Sequence, residues 1–247
     1  MPFRPDTRQY RSFAASNFQP INEPLPEIGD EVEERTDEPS YKVRGYFTTF
    51  NDEYLLFPAV PSCDWPATYE QIDRHAFDTC DLSDVIAQFD HQGDVLARTR
   101  NGSLSIGFDD HGGYCEMTLN GCQRARDMYE AICNGLVVEM SFGFTIADDN
   151  DGVGNTHTRD EHGDYHVTIT RISKLYDVSC VSIPANPGTD LENIRKRSYM
   201  TGVIEADIKA EHERIAEEQR IAEEAAEEAA EQARMRRMRR AKALSLI

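Results

Sequence analysis

The strongest constraint on the fold is an unbroken alternation of side chains across residues 136–146. The even positions are all apolar: Leu136, Val138, Met140, Phe142, Phe144 and Ile146. The odd positions are mostly polar or small and are centred on Ser141. Because successive side chains of a β-strand point to opposite sides of the sheet, the pattern predicts a strand with one core face and one polar face. The apolar face is explained as core, whereas the hydroxyl of Ser141 needs a function.

The charge of the chain excludes several kinds of partner. The 247 residues include 26 Lys and Arg against 45 Asp and Glu, so the net charge is −19. Proteins that coat nucleic acid gain affinity by neutralising phosphates with basic side chains, so no nucleic-acid partner is expected. No apolar run approaches the roughly 18 residues of a membrane span, so no membrane contact is expected either.

The cysteines and the start of the chain point to a cytosolic protein. The six cysteines include no Cys-x-x-Cys pair, and the first residues hold no apolar signal core. A reducing compartment is the simpler interpretation. Nothing in the sequence calls for a cofactor.

Composition divides the chain into three regions. Residues 1–40 are acidic and rich in Pro, and we expect a mostly disordered arm. Residues 41–200 contain the strand pattern and should form the folded domain. Residues 201–247 are rich in Ala, Glu and Arg and predict a long helical tail, whose apolar stripe is mostly alanine. That tail is either a solvated helix or a segment that docks on helical partners in an assembly.

The middle region predicts a mainly β fold that is α+β by content. Gly, Asn and Asp turns separate short strands at 42–50, 54–57, 83–90, 94–99, 103–108, 113–119, 136–146, 165–172 and 175–183. This spacing is typical of a barrel or sandwich, and we expect a closed or nearly closed β-barrel with peripheral helices. One helix should run between a cap at Asn120 and an end at Gly135, and a second, short helix over 189–197.

A serine hydroxyl becomes a nucleophile only when a base takes its proton, so Ser141 needs an imidazole within reach. Of the seven histidines, His91 follows the predicted strand 83–90, where a base is partly shielded and still reaches a substrate. The plainer alternative is a histidine that only forms hydrogen bonds within a loop.

Two carboxylates are candidates for the third member, which would bind the imidazole on the side away from Ser141. Asp177 lies in a strand with no other charge, and a buried carboxylate is costly unless a donor faces it. A histidine cation is such a donor, although Arg171 or backbone amides would also satisfy it. Glu139 lies two residues from Ser141 on the same face, roughly 7 Å along the strand, and remains a competitor.

Other candidate sites fit less well. The acidic run at 148–152 lacks the first and last ligands of a calcium loop and is better explained as a hairpin connection. No Gly-x-Ser-x-Gly elbow surrounds Ser141, which disfavours an α/β-hydrolase. Cys122 and Cys133 fall on the apolar face of the predicted helix and look like core. A metal-dependent hydrolase would have to use three histidines with no cysteine nearby: His157, His162 and His166.

Five segments together resemble one protein family. They are Val-Arg-Gly-Tyr-Phe at 43–47, Glu-Gln-Ile-Asp-Arg-His-Ala-Phe at 70–77, Phe-Asp-His at 89–91, Gly-Leu-Val-Val-Glu-Met-Ser-Phe-Gly-Phe at 135–144, and the segment from Leu-Tyr-Asp-Val-Ser to Asn-Pro-Gly-Thr at 175–189. In this combination the chain resembles the prohead (capsid maturation) serine proteases of tailed bacteriophages of the HK97 type. The fold of that family is similar to that of the herpesvirus assembly protease.

The resemblance implies roles for the three candidate residues. Ser141 would be the nucleophile, His91 the general base and Asp177 the third member, where relatives often have Glu-Val-Ser. The chain also departs from relatives at Gln92–Asp94, where a hydrophobic residue and Gly are usual. Donors for the oxyanion stay open between backbone amides near Gly143 and the side chains of Arg159 or Arg171.

The resemblance also implies substrates, partners and location. The protease would cleave the scaffolding protein, or the scaffold-like part of the major capsid protein, as well as itself. It would act inside the procapsid in the host cytoplasm, with self-association possible and without a cofactor or metal. The alternative is a non-catalytic procapsid scaffold-type assembly protein that keeps the fold and uses the helical tail for assembly.

Overall fold

The computed structural model describes residues 8–13, 19–21, 40–149, 152–182 and 201–244. Contacts divide the chain into a β-rich unit within residues 3–199 and a helical unit around residues 200–247. The predicted helix over 189–197 lies outside the described residues, as does most of the predicted arm at 1–40.

The β-rich unit is built mainly from strands. In chain order they are β1 (Gln9–Phe13), β2 (Gln19–Pro20), β3 (Lys42–Thr49), β4 (Tyr54–Phe57), β5 (Thr68–Ile72), β6 (Ile86–Phe89), β7 (Gln92–Arg98), β8 (Leu104–Phe108), β9 (Gly112–Thr118), β10 (Glu139–Ile146), β11 (Asp148–Asp149), β12 (Gly152–Val153), β13 (Asn155–Arg159), β14 (Tyr165–Ile169) and β15 (Ile172–Val181). Helix α1 (Gln123–Cys133) lies between β9 and β10. The predicted α+β content, with β dominant, is confirmed.

The strands form open sheets rather than the expected closed barrel. Within the described residues, the sheets have the strand orders β1-β10-β15-β6-β7, β13-β14-β5-β4, β2-β3-β9-β8 and β11-β12. Closure would require the two edge strands of a sheet to pair with each other, and here each larger sheet keeps two unjoined edges. The larger sheets instead share a core, in which Phe142 of β10 packs against Phe47 of β3 with ring centroids 5.6 Å apart.

The central strand β10 has the predicted core face. Met140, Phe142 and Phe144 are completely buried. The strand begins at Glu139, however, so the expected start at residue 136 is wrong, and Leu136 is 75% exposed. The amide of Leu136 donates to the carbonyl of Ala131 and completes the turn that ends α1, so this residue cannot also pair within a sheet.

Helix α1 is confirmed, with changes at its boundaries and on its buried face. Gly135 follows it with φ 67°, a left-handed conformation that suits glycine at a helix end. The N-cap is Cys122 rather than the predicted Asn120. Cys122 and Cys133 are exposed, so their assignment to the core is wrong. The helix buries only three residues: Ala125, Met128 and Ile132.

A β-bulge in β15 sets the direction of Asp177. Gly143 pairs with Asp177 and Phe144 pairs with Leu175, so Tyr176 is an extra residue without a partner on β10. A shift of one residue reverses which face each side chain occupies. The bulge therefore lets Leu175 enter the core while Asp177 stays on the same face as Ser141.

Residues 9–13 have regular structure within the arm that is expected to be mostly disordered. They form β1, which pairs antiparallel with β10 along its whole length. Arg11 is only 6% exposed because its guanidinium binds both carboxylate oxygens of buried Glu70, with Nε–Oε1 2.5 Å and Nη2–Oε2 2.9 Å. A strand held by a charged pair lacks the apolar pattern that identifies a core strand in a sequence.

The helical unit consists of α2 (Thr201–Leu244), 44 residues long, and the predicted C-terminal helix is confirmed. Its exposed surface carries ion pairs one turn apart. Arg214 pairs with Glu211 and Glu218, and Arg220 pairs with Glu217 and Glu224. Such pairs stabilise a solvated helix by a few tenths of a kcal/mol each, about 0.2–0.5.

Candidate active site

Ser141 lies in the middle of β10, on the face opposite the aromatic core. It pairs with Ser12 of β1 on one side and with Ser179 of β15 on the other. Its side chain is completely buried, so the polar face that the sequence predicts is covered rather than open to solvent. The position is rigid, because β10 is hydrogen-bonded on both edges.

His91 is carried by a two-residue turn between β6 and β7. Phe89 pairs with Gln92, leaving only Asp90 and His91 in the loop, with φ values of 50° and 57°. One type of two-residue hairpin has positive φ at both loop positions, a conformation that costs energy for residues other than Gly, although Asn, Asp and His adopt it more readily than most. The carboxylate of Asp90 accepts hydrogen bonds from the amide and the hydroxyl of Ser182, both at 2.9 Å, which hold the turn in place.

The structure brings Ser141, His91 and Asp177 together. Nε2 of His91 lies 2.5 Å from Oγ of Ser141, and Nδ1 lies 2.5 Å from Oδ1 of Asp177. Strand β6 runs parallel to β15, with Ile86 paired to Asp177, and this pairing brings the turn that follows β6 over the sheet. In this order a proton can pass from the hydroxyl to Nε2 while Nδ1–H donates to the carboxylate.

Asp177 is completely buried and has a second donor. Oγ of Ser179, two residues along β15, donates to Oδ1 at 2.7 Å. A buried carboxylate is tolerated when donors face it, and here the imidazole and this hydroxyl serve that purpose. The sequence shows the signal for Ser179, since residues two apart in a strand share a face.

Glu139 makes no hydrogen bond to His91. Both ring nitrogens of His91 are occupied, one by Ser141 and the other by Asp177. Glu139 begins β10 opposite Val181, at the other side of Ser141 from Gly143. The geometry therefore favours Asp177 as the partner of the imidazole.

Gly143 has no side chain, and this absence makes room for the carboxylate of Asp177 and the ring of Tyr10. A Cβ atom at this position would overlap the carboxylate of Asp177 and would lie 2.9 Å from Cε1 of Tyr10. Three groups were considered as donors to the oxyanion, and of these the backbone near Gly143 lies beside Asp177. The two arginines make hydrogen bonds to other residues. Arg159 donates to the carbonyl of Gly163, and Arg171 donates to Asp149 and Gly152.

The histidines considered as metal ligands do not gather into a site in the part of the chain that the structure describes. No group there of three or more His, Cys, Asp or Glu is arranged to hold a metal ion. Nδ1 of His166 lies 2.8 Å from Oε1 of Glu53, and its ring stacks on Tyr69. The hydrogen bond to Glu53 raises the pKa of His166.

Three of the six cysteines are poor candidates for a competing nucleophile. All six are free, and burial raises the pKa of Cys80 and of Cys180 to about 12. Burial also raises the pKa of Cys115. These thiols therefore stay protonated near neutral pH and are poor nucleophiles.

Comparison with known families identifies the chain. A family model described as caudovirus prohead serine protease matches residues 30–202. The chain belongs to this family. It is therefore a serine protease of the kind that acts in phage capsid maturation. Neither the comparison with curated proteins nor that with solved structures found a match. The likeness to the herpesvirus assembly protease stays a prediction.

The prohead protease has two further side chains at the site that the sequence did not reveal. The ring of Tyr10 lies 4.3 Å from that of His91, centroid to centroid, and Nη1 of Arg8 lies 3.6 Å from Oδ2 of Asp177. Both belong to the arm, whose composition gives no sign of a strand.

No helix among the described residues is long and apolar enough to cross a membrane.

Proposed function

We propose that this prohead protease is an endopeptidase in which Ser141 is the nucleophile, His91 the general base and Asp177 the residue that orients and stabilises the imidazole. Its substrates are the scaffold or the scaffold-like part of the major capsid protein, and the protease itself. The observation that carries the proposal is the pair of 2.5 Å contacts through which one imidazole joins the hydroxyl to the buried carboxylate.

The reaction follows from these contacts. Nε2 of His91 accepts the proton of Ser141 as Oγ bonds to the carbonyl carbon of the scissile peptide. The imidazolium is stabilised by Asp177 and returns the proton to the leaving amine as the peptide C–N bond breaks. A water molecule then attacks the carbonyl carbon of the acyl ester and gives a proton to Nε2. As the ester C–O bond breaks, Nε2 returns this proton to Oγ of Ser141 and the carboxylic acid product leaves.

The proposed division of the chain assigns protease chemistry to residues 41–200, with an arm at 1–40 and a helical tail at 201–247. The pairing of β1 with β10 supports counting residues 9–13 with the protease domain. The solvated ion pairs of α2 support a tail that stays available for partners in the procapsid, within the host cytoplasm. Self-association of the protease is part of the same proposal.

Co-expression with the capsid and scaffold proteins of the same phage tests the proposal. Wild type should shorten the scaffold region and trim itself, whereas Ser141→Ala and His91→Ala should leave full-length products on gels and in mass spectra. Ser105→Ala in β8 and His75→Ala, at an exposed histidine, are matched controls that should process normally. Processing that survives Ser141→Ala contradicts the serine mechanism, and full-length products with wild type favour the non-catalytic assembly role.

The same assay ranks the two carboxylates. Asp177→Asn should lower the rate of processing by about two to four orders of magnitude, because an amide does not stabilise the imidazolium. Glu139→Gln should change the rate by less than about threefold, since Glu139 makes no bond to His91. The reverse order would move the role to Glu139.

A further inference from the structure

Strand β1 lies directly beside the nucleophile. Tyr10 pairs with Gly143, and Ser12 pairs with Ser141. The match to the prohead protease family begins at residue 30, so this strand is outside the part of the chain that the family model covers. What β1 does at the site is therefore a question that family membership leaves unanswered.

Tyr10 covers one side of the imidazole. Its ring is tilted by 57° to the ring of His91 at a centroid distance of 4.3 Å. The ring approaches the backbone of Gly143 closely enough that a Cβ there would lie 2.9 Å from Cε1. His91 sits on a turn of two residues and is 17% exposed. A ring packed against it restricts the rotation that would take Nε2 away from Ser141.

Arg8 faces the carboxylate from the other side. Its Nη1 lies 3.6 Å from Oδ2 of Asp177, and its guanidinium centre lies 4.1 Å above the ring of Tyr176. Oδ1 of Asp177 receives both His91 and Ser179, whereas Oδ2 is buried and accepts no hydrogen bond within the described residues. The cation therefore favours the carboxylate orientation in which Oδ1 faces the imidazole.

A buried ion pair holds β1 in this place. Arg11 is 6% exposed and Glu70 is completely buried, and the two-pronged contact between them is joined by a hydrogen bond from the hydroxyl of Tyr54 to Glu70. Removing one member of such a pair leaves an uncompensated buried charge. The anchor favours β1 as a permanent part of the site over β1 as a cover that lifts away.

We propose that β1 and the residue before it complete the active site, with Tyr10 of β1 and the preceding Arg8 as positioning residues. Tyr10 keeps the ring of His91 directed at Ser141, and Arg8 keeps Oδ1 of Asp177 directed at Nδ1. This inference rests on the proposed function, because it assigns supporting roles to neighbours of the same three residues.

A fluorophosphonate probe on the full chain tests it, since an activated serine attacks the phosphorus of such a probe, displaces fluoride and becomes phosphonylated, and no known substrate is needed. Tyr10→Ala should lower the maximal labelling rate about three- to tenfold, the range expected for one aromatic contact, with the half-saturating probe concentration unchanged. Tyr10→Phe should restore the rate because it keeps the ring. Arg8→Gln should lower the rate to a similar extent, and Arg8→Lys less.

Two controls match these changes away from the site. Tyr69→Ala removes a tyrosine that stacks on a different histidine, His166, with ring centroids 5.1 Å apart. Arg124→Gln removes an exposed arginine paired with Asp94. Both should label at the wild-type rate. Thermal melts of every variant show whether the fold persists at the labelling temperature, and Arg8→Gln decides the case if Tyr10→Ala does not fold.

The outcomes separate this inference from the proposed function. If the wild-type chain is not labelled at Ser141, the proposed function fails. If it is labelled there and the folded Tyr10→Ala and Arg8→Gln variants react equally fast, the positioning role is overturned. Faster labelling of either variant also overturns it and makes β1 an inhibitory cover. Failure of Tyr10→Phe to restore the rate would contradict the role of the ring.

Discussion

At the scale of single residues, Gly143 connects strand geometry to the site most directly. It lies between Tyr10 on one side and Asp177 on the other, and both would be displaced by a side chain. Asp177 has little freedom to move away, because His91 and Ser179 both hold its Oδ1. The glycine is therefore required by close packing rather than by its own backbone angles.

We expect Gly143→Ala to lower the fluorophosphonate labelling rate about 100-fold, since a displacement on the order of 1 Å within a catalytic group has effects of that size. Gly121→Ala is the matched control, because a Cβ there meets no atom within 4 Å. A Gly143→Ala variant that labels at the wild-type rate would show that the neighbouring carboxylate yields easily.

At the scale of elements, the β6–β7 hairpin shows how a strained turn serves the site. A longer loop would carry His91 without strain but with more freedom. The two-residue turn fixes the backbone position of His91, and Ser182 offsets part of the strain by binding Asp90. The turn between β6 and β7 thus gives His91 one position relative to β10 and β15.

A second histidine, His166 on β14, should make the stability of the fold depend on pH. The hydrogen bond to Glu53 raises the pKa of His166 in the folded state above its unfolded value, which is about 6.5. The stabilisation is therefore fully present below about pH 6.5 and is lost as pH rises through the raised folded value. We expect the melting temperature of wild type to exceed that of His166→Gln by more at about pH 6 than at about pH 8.

Glu53→Gln should weaken the same pH dependence, because it takes away the main cause of the raised pKa of His166 while Asp160, which also raises it, remains. A gap between wild type and His166→Gln that is constant across this range would assign the effect to the stacking of His166 on Tyr69 instead.

At the scale of the whole β-rich unit, one ion pair joins two sheets. Arg11 belongs to the sheet that carries Ser141, whereas Glu70 belongs to β5 in a different sheet, 59 residues along the chain. Both are buried, and the two-pronged contact between them compensates their opposite charges.

We expect Arg11→Met to lower the free energy of unfolding by about 3–5 kcal/mol in urea titrations, because the buried carboxylate of Glu70 loses the guanidinium that faces it. Arg11→Met combined with Glu70→Leu should recover much of that loss. Arg124→Met breaks an exposed pair and should cost less than about 1 kcal/mol. If the double variant is no more stable than Arg11→Met, the loss of stability does not come from the buried charge left on Glu70.

The sequence could predict what depends on local pattern. The core face of β10, the extent of α1 at Gly135 and the long α2 all follow from periodicity and end signals, and Ser141 and Asp177 stand out as polar groups within apolar strands. Closure of the sheets depends on which distant edges meet, which no local pattern specifies. Strand β1 was not predicted because the charge of Arg11 is compensated by a residue 59 positions away. The places of Tyr10 and Arg8 at the site were missed for the same reason, since both depend on β1.

The bulge at Tyr176 has a consequence for comparing sequences across the family. Because the extra residue has no partner on β10, a relative could lack it and still present an acid and a leucine on the same two faces. The number of residues separating Leu175 from the acid is thus free to differ by one between relatives. An alignment of this segment should therefore allow a gap there, since enforcing equal lengths on a relative that lacks the extra residue would match its acid to an unrelated side chain.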